Sequence, residues 1–165
     1  MLTKNFYSYM RGVLQNTTAD FTLKNGSLQP SIVDYSSHIP PFAAMNKYVV
    51  NPNDSGVSFG IGTTPANATD YKLENSLPST QIRVSVPSAV SFSRGNTYDE
   101  YSVTFGVTNI TTATITISEV GLIAAPQTAY PVLVDRTVLD TPVTIPAGQS
   151  KQITYTIRFN YGDAV

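Results

Sequence analysis

YSVTFGVTNITTATITISEVGL, residues 101–122, decides the fold class. Tyr101, Val103, Phe105 and Val107 alternate with Ser102, Thr104, Gly106 and Thr108; Ala113, Ile115 and Ile117 alternate with Thr114, Thr116 and Ser118. A period of two places the apolar set on one face of a strand and the hydroxyls on the other, so each run predicts a strand with one dry face. After Ile117 the apolar phase moves to Val120, Leu122 and Ala124. A one-residue slip would turn every later side chain over, and a β-bulge near Ser118–Glu119 would absorb it.

Working outward, the same grammar recurs. Val57 to Gly62 reads as a strand, and Ile82, Val84 and Val86 alternate in a run that continues past Pro87 through Val90 and Phe92. Val132 to Leu139 and the alternating Ile153, Tyr155, Ile157 and Phe159 form the last long strands. Between them stand Pro142 and Pro146-Ala147-Gly148, which suits a type I turn with proline second and glycine fourth. Asp70 to Glu74 is expected to hold one helical turn. At the N-terminus, Leu2, Phe6, Tyr9, Met10, Val13 and Leu14 fall on one helical face, predicting a helix over 3–14. Asn25-Gly26 predicts a two-residue turn inside a hairpin over 20–33. The expected architecture is one all-β domain over 1–165, mainly an antiparallel β-sandwich of jelly-roll or immunoglobulin-like type, with one short N-terminal helix. Residues 34–56, broken by Pro40-Pro41, Pro52 and Asn53-Asp54-Ser55-Gly56, form a long irregular excursion.

Composition narrows the function. The 165 residues are 13% charged with a formal net charge of −1, while Thr and Ser number 21 and 16. A chain with roughly half the usual charge leaves solvation to hydroxyls and has surface to be covered. Ten Lys and Arg against eleven Asp and Glu form no basic footprint, so nucleic acid is not an expected partner. No stretch approaches the roughly 20 apolar residues of a membrane span, and the first residues lack a secretory signal core, so a membrane is not expected either. Zero cysteines remove disulfides and thiolate chemistry.

Catalytic motifs are not legible. The sole histidine, His38, sits beside Pro40-Pro41, and no Gly-x-Ser-x-Gly elbow accompanies it. Asn51 to Gly62 fails as a calcium loop because its first and twelfth positions are Asn and Gly. Gly60-Ile61-Gly62 lacks the third glycine of a dinucleotide fingerprint. Asp99-Glu100 would point to opposite faces of a strand, and Asp70 with Glu74 would share one turn, so neither is a glycosidase pair. The expectation is no enzyme, no cofactor and no metal. Five Asn-x-Ser/Thr triplets, at Asn16, Asn25, Asn53, Asn67 and Asn109, read chiefly as composition.

Three stretches carry a resemblance: Gly60 to Pro65 with Asp70-Tyr71-x-Leu73-Glu74; Ile117 to Leu122; and Leu133 to Thr137 running into Thr144 to Gly148 and an alternating last strand. In this order, after a Met-Leu-Thr-Lys-Asn-Phe-Tyr start, they resemble small β-rich virion structural proteins of tailed bacteriophages, of the head-decoration or tail-associated kind. The resemblance spans 57–160 most closely and does not reach 34–56. It implies a many-copy structural component with a β-sandwich core, assembled in the host cytoplasm into the virion, and no catalytic residues. Capsid decoration on the major capsid protein is the first expectation, and a tail, neck or baseplate position the second; partners would be virion proteins and further copies of the chain as a homo-oligomer.

The residues themselves support framework roles. Gly60 and Gly62 permit a tight backbone path. Asp70 could accept backbone N–H groups, Leu73 could anchor its stretch to the sandwich, and Glu74 could pair with Arg136 or Arg83. A carboxylate held between apolar strands needs a partner, so Glu119 is paired with Arg136 in this reading, against an exposed, water-bonded Glu119. Phe42, Met45, Tyr48, Val49 and Val50 in the irregular excursion are the candidate partner-docking residues. A reading of another class, a carbohydrate-binding module for host attachment, draws on ten tyrosines but has no tryptophan to stack on sugars.

Overall fold

The structure, a computed structural model, describes residues 1–15, 18–32, 55–85, 89–125 and 131–160. Among them are one helix, α1 (Lys4–Gln15), and nine strands: β1 (Thr18–Thr22), β2 (Leu28–Ile32), β3 (Gly56–Gly60), β4 (Ile82–Val84), β5 (Ala89–Arg94), β6 (Tyr98–Asn109), β7 (Ile115–Ala124), β8 (Val132–Ile145) and β9 (Ser150–Asn160). All strand pairs are antiparallel, and the fold is all-β with a single short helix.

Two sheets face each other. One has the order β3–β7–β8. In the other, β9 pairs with β6 from Tyr98 to Thr108, while β5 and β4 pair with residues 99–104 and 107–109 of the same strand. A strand has two edges, so β5 and β4 lie end to end along one edge of β6 and β9 occupies the other. Alternation does what periodicity predicts: Val103, Phe105 and Val107 are buried, and they meet Ile153, Tyr155 and Ile157 of β9 and Phe59, Ile117, Val120 and Leu122 of the opposite sheet. The Phe59 and Phe105 rings contact edge-to-face at 6.0 Å. Phe6 and Tyr9 of α1 and Ala19 and Phe21 of β1 join the same core.

Several expectations need correction. The register breaks where the phase slip was read, between Ile117 and Glu119, but the extra residues are on the partner: Ile117 pairs with Val143 and Glu119 with Val138. Residues 139–142 of β8 are therefore looped out, which is why Pro142, having no N–H to give, sits inside β8 instead of ending it. A second shift falls between Leu122 and Ile123, opposite Asp135 and Leu133. The expected run from Ile82 to Phe92 is two strands, with 86–88 outside the described residues.

Turn chemistry also differs in detail. The β1–β2 loop is closed by Leu23 N–H to Ser27 C=O at 2.9 Å, leaving three residues at its tip, of which Gly26 has a positive φ of +86°. After β8 the turn is Pro146 to Gln149, with Gly148 at φ +70° in its third position, as type II geometry demands. Residues 70–74 hold no helical turn; the turn is one step earlier, with Asp70 N–H bonded to Asn67 C=O at 3.0 Å.

Candidate functional site

The charged residues singled out in the sequence converge on one point. Glu119 on β7 is fully buried and Arg136 on β8 nearly so, and Arg136 Nε donates to Glu119 Oε2 at 2.8 Å. The other Glu119 bonds come from backbone: Gly62 N–H at 3.1 Å and Asn75 N–H at 2.8 Å to Oε1, and Glu74 N–H at 3.1 Å to Oε2. Each carboxylate oxygen thus holds two donors, which is what an ionised carboxylate needs once water is gone.

Arg136 reaches further. Its Nη1 donates to Asp70 Oδ2 at 2.9 Å and its Nη2 to Glu74 Oε2 at 3.4 Å. Arg83, the other partner considered for Glu74, is exposed on β4. Asp70 Oδ2 also accepts Asn67 N–H at 2.9 Å, and Glu74 accepts Thr63 N–H, Thr64 N–H and the Thr64 hydroxyl, each at 2.9 Å. Three carboxylates surround one guanidinium, and the N–H groups of 62, 63, 64, 67, 74 and 75 balance the excess negative charge. The arrangement staples the loop 61–76 to the β7–β8 pair.

The electrostatics follow from the contacts. The backbone N–H and hydroxyl of Thr64 hold the Glu74 carboxyl below its ordinary 4.5, with Thr63 N–H and the Arg136 charge acting the same way. Burial works against the charge on Arg136, yet the Asp70 and Glu119 carboxylates outweigh it and raise its pKa.

Close approach explains the glycines. A Cβ on Gly60 would stand 2.5 Å from Glu119 Oε1 and 2.7 Å from the Asn75 carbonyl, and one on Gly62 would stand 2.5 Å from the Glu74 Cβ. Leu73 is buried against Ile123 and Leu133, anchoring the loop by its apolar side. Gly121, absent from the candidate residues, is what admits it: an added Cβ would lie 2.7 Å from Leu73 Cδ2. An open depression of about 310 Å³, lined by Thr64, Asp70, Lys72, Glu74 and Arg136 among others, borders the staple. Among the described residues no three His, Cys, Asp or Glu side chains are grouped to hold a metal, and no helix is long and apolar enough to cross a membrane.

Other buried polar residues were not singled out. Asn109, fully buried at the end of β6, donates to Ala113 C=O at 2.7 Å and Ile145 C=O at 2.9 Å, and its Oδ1 accepts Thr111 N–H and Oγ1 at 2.9 and 2.7 Å. Its signal was position: it continues the dry face of Val103, Phe105 and Val107 with a polar residue. Asn25 with Ser27 and Asn67 with Thr69 repeat the same two-bond Asx turn. The described Asn-x-Ser/Thr triplets are thus turn devices. Asp135 accepts the Tyr155 hydroxyl at 2.7 Å, and burial, followed by the Asp135 charge, pushes the Tyr155 phenol well above its ordinary range. Asn5 ties α1 to Thr22 and Leu133.

The docking candidates Phe42, Met45, Tyr48, Val49 and Val50, like His38, lie outside the described residues. Compared with known proteins, the chain matches no family model, no curated protein and no solved structure.

Proposed function

We propose that the chain is a virion structural protein of a tailed bacteriophage, a capsid decoration protein bound in many copies to the major capsid protein. One observation carries the reading: the stretches that bear the resemblance, around Gly60–Gly62, Asp70–Glu74, Glu119–Gly121 and Arg136, are the parts of a single staple whose polar groups are spent on holding a loop to a sandwich. That is framework chemistry. Glu119 could take a proton from a substrate only by giving up one of its four donors, so its chemical role is to be satisfied. The low charge supplies the second support, because surface solvated by hydroxyls is cheap to bury against a neighbour.

Incubating the purified chain with assembled empty heads, and separately with purified tails, tests the proposal by co-sedimentation. Saturable retention on heads, at a stoichiometry that follows the capsid lattice, is the expected result. Retention on tails alone would move the protein to the tail, and retention on neither would overturn the reading.

A further inference from the structure

We propose that β5 is a self-association edge: two copies pair their β5 strands antiparallel about a two-fold axis at Ser91, fusing two β5–β6–β9 sheets into one. This inference stands apart from the virion reading.

Three sheet edges, on β3, β8 and β9, are covered or charged. The outer edge of β3 is met by residues 75–77, with Ile61 N–H to Asn75 C=O at 2.9 Å and Leu77 N–H to Phe59 C=O at 2.8 Å. Met1–Thr3 run along β8, with Thr3 N–H to Val134 C=O and Arg136 N–H to Met1 C=O, both at 3.0 Å. The edge strand β9 carries Lys151 and Arg158, charges of the kind that discourage pairing with another chain. Among the described residues β5 has none of these protections before Arg94. Among the described residues no strand pairs with its outer edge, and Val90 and Phe92 are 61% and 51% exposed.

The occupant follows from the pattern. Val90 pairs with Val103 and Phe92 with Tyr101, so both belong to the core-side face of the sheet. Valine–serine–phenylalanine keeps its apolar–hydroxyl–apolar order when the chain direction is reversed, which is what an isologous two-fold contact requires. With Ser91 on the axis, Val90 of each copy lies opposite Phe92 of the other. The existing register then extends Ile157–Tyr101–Phe92 into Val90–Val103–Tyr155 of the second copy, an apolar row crossing the junction. On the other face, Thr156–Ser102–Ser91 runs into the same three hydroxyl residues reversed, prolonging a ladder already linked at 2.7 Å between Ser102 and Thr156. The two Arg94 residues fall at opposite ends, so like charges stay apart. An edge of six residues is small beside the roughly 1,000 Å² of a stable complex, so the dimer is concentration-dependent and gains from multivalency in an array.

Sedimentation equilibrium of the full chain should show a monomer–dimer equilibrium, and Phe92→Lys should raise its dissociation constant about tenfold or more. Because the chain has no native cysteine, Ser91→Cys should cross-link to itself on mild oxidation. Ser93→Cys should not, since it faces position 89 and the two Ser93 residues are then about 13 Å apart along the strands. A wild-type chain that stays monomeric at every concentration overturns the proposal, as does equal cross-linking at 91 and 93. Protection of β5 amides from hydrogen exchange only in the presence of empty heads would assign the edge to another protein's strand and likewise overturn it.

Discussion

Replacing Arg136 with alanine removes a side-chain cation that touches three carboxylates. Glu119 keeps three backbone donors and loses its Arg136 Nε bond, while Asp70 retains Asn67 N–H and Glu74 retains its threonine contacts. Breaking one side of a buried ion pair costs about 3–5 kcal/mol, and the surviving donors place this case at the low end, about 3 kcal/mol. For a chain of this length each 1 kcal/mol moves the midpoint by about 2–4 °C, so thermal unfolding followed by circular dichroism should fall by about 6–12 °C. Hydrogen exchange should quicken most at the amides of 62, 74 and 75, which lean on Glu119. A double variant, Arg136→Met with Glu119→Leu, should recover part of the loss because no charge is then left unpaired. A midpoint within 1 °C of wild type, with unchanged exchange in the loop, would refute the claim that this pair holds 61–76 in place.

Other perturbations read other parts of the structure. Asn109→Ala should destabilise by about 1–3 kcal/mol in urea unfolding, since it takes the Asn109 partner from the Ile145 carbonyl and the Thr111 N–H, while the Ala113 carbonyl keeps the Thr111 hydroxyl at 2.8 Å; Asn109→Asp should cost more, by aiming a carboxylate at two carbonyls. Gly121→Ala should cost about 1–3 kcal/mol from overpacking against Leu73 and Leu133, and Leu73→Ala in the same background should reduce that penalty. Because the Glu74 pKa is depressed in the folded state, its contribution is present above about pH 4.5 and is lost as pH falls through the lower folded value. Glu74→Gln should therefore flatten the acid limb of loop stability, measured by hydrogen exchange at Thr63 and Thr64. For Tyr155 the folded state holds the phenolic proton more tightly, so stability should decline as pH rises above about 10, and Tyr155→Phe should remove that alkaline dependence.

What could be read from the chain was set by local geometry. Alternation from Val103 to Val107 fixes a strand and its dry face without any knowledge of neighbours, and the phase change after Ile117 locates a register break. Which strand carries the surplus residues depends on the partner's count, and so residues 139–142 and the tolerance for Pro142 were beyond reach. The Glu119–Arg136 pair was legible because a mid-strand carboxylate among apolar residues demands a cation, and the next strand offers one. The sequence also offered Arg136 or Arg83 to Glu74, and the structure takes Arg136; the docking of Asp70 onto the same guanidinium, 66 residues away, was not legible because no periodicity operates over that separation. Glycine marked both turns correctly, but the position of positive φ within each is set by the flanking ladders. The exposed Phe92–Tyr101 ring pair, 4.9 Å apart, escaped notice because sequence shows which face a residue occupies, not where the opposing sheet stops covering it.

A sandwich proposed as a repeated part of a particle must be present there in a fixed copy number. Counting copies of the chain in purified virions, by quantitative mass spectrometry against the major capsid protein, tests that proposal. A fixed ratio to the major capsid protein, in the range a shell lattice sets, is the result the account predicts. A handful of copies would contradict capsid decoration, and absence from the particle would contradict the account as a whole.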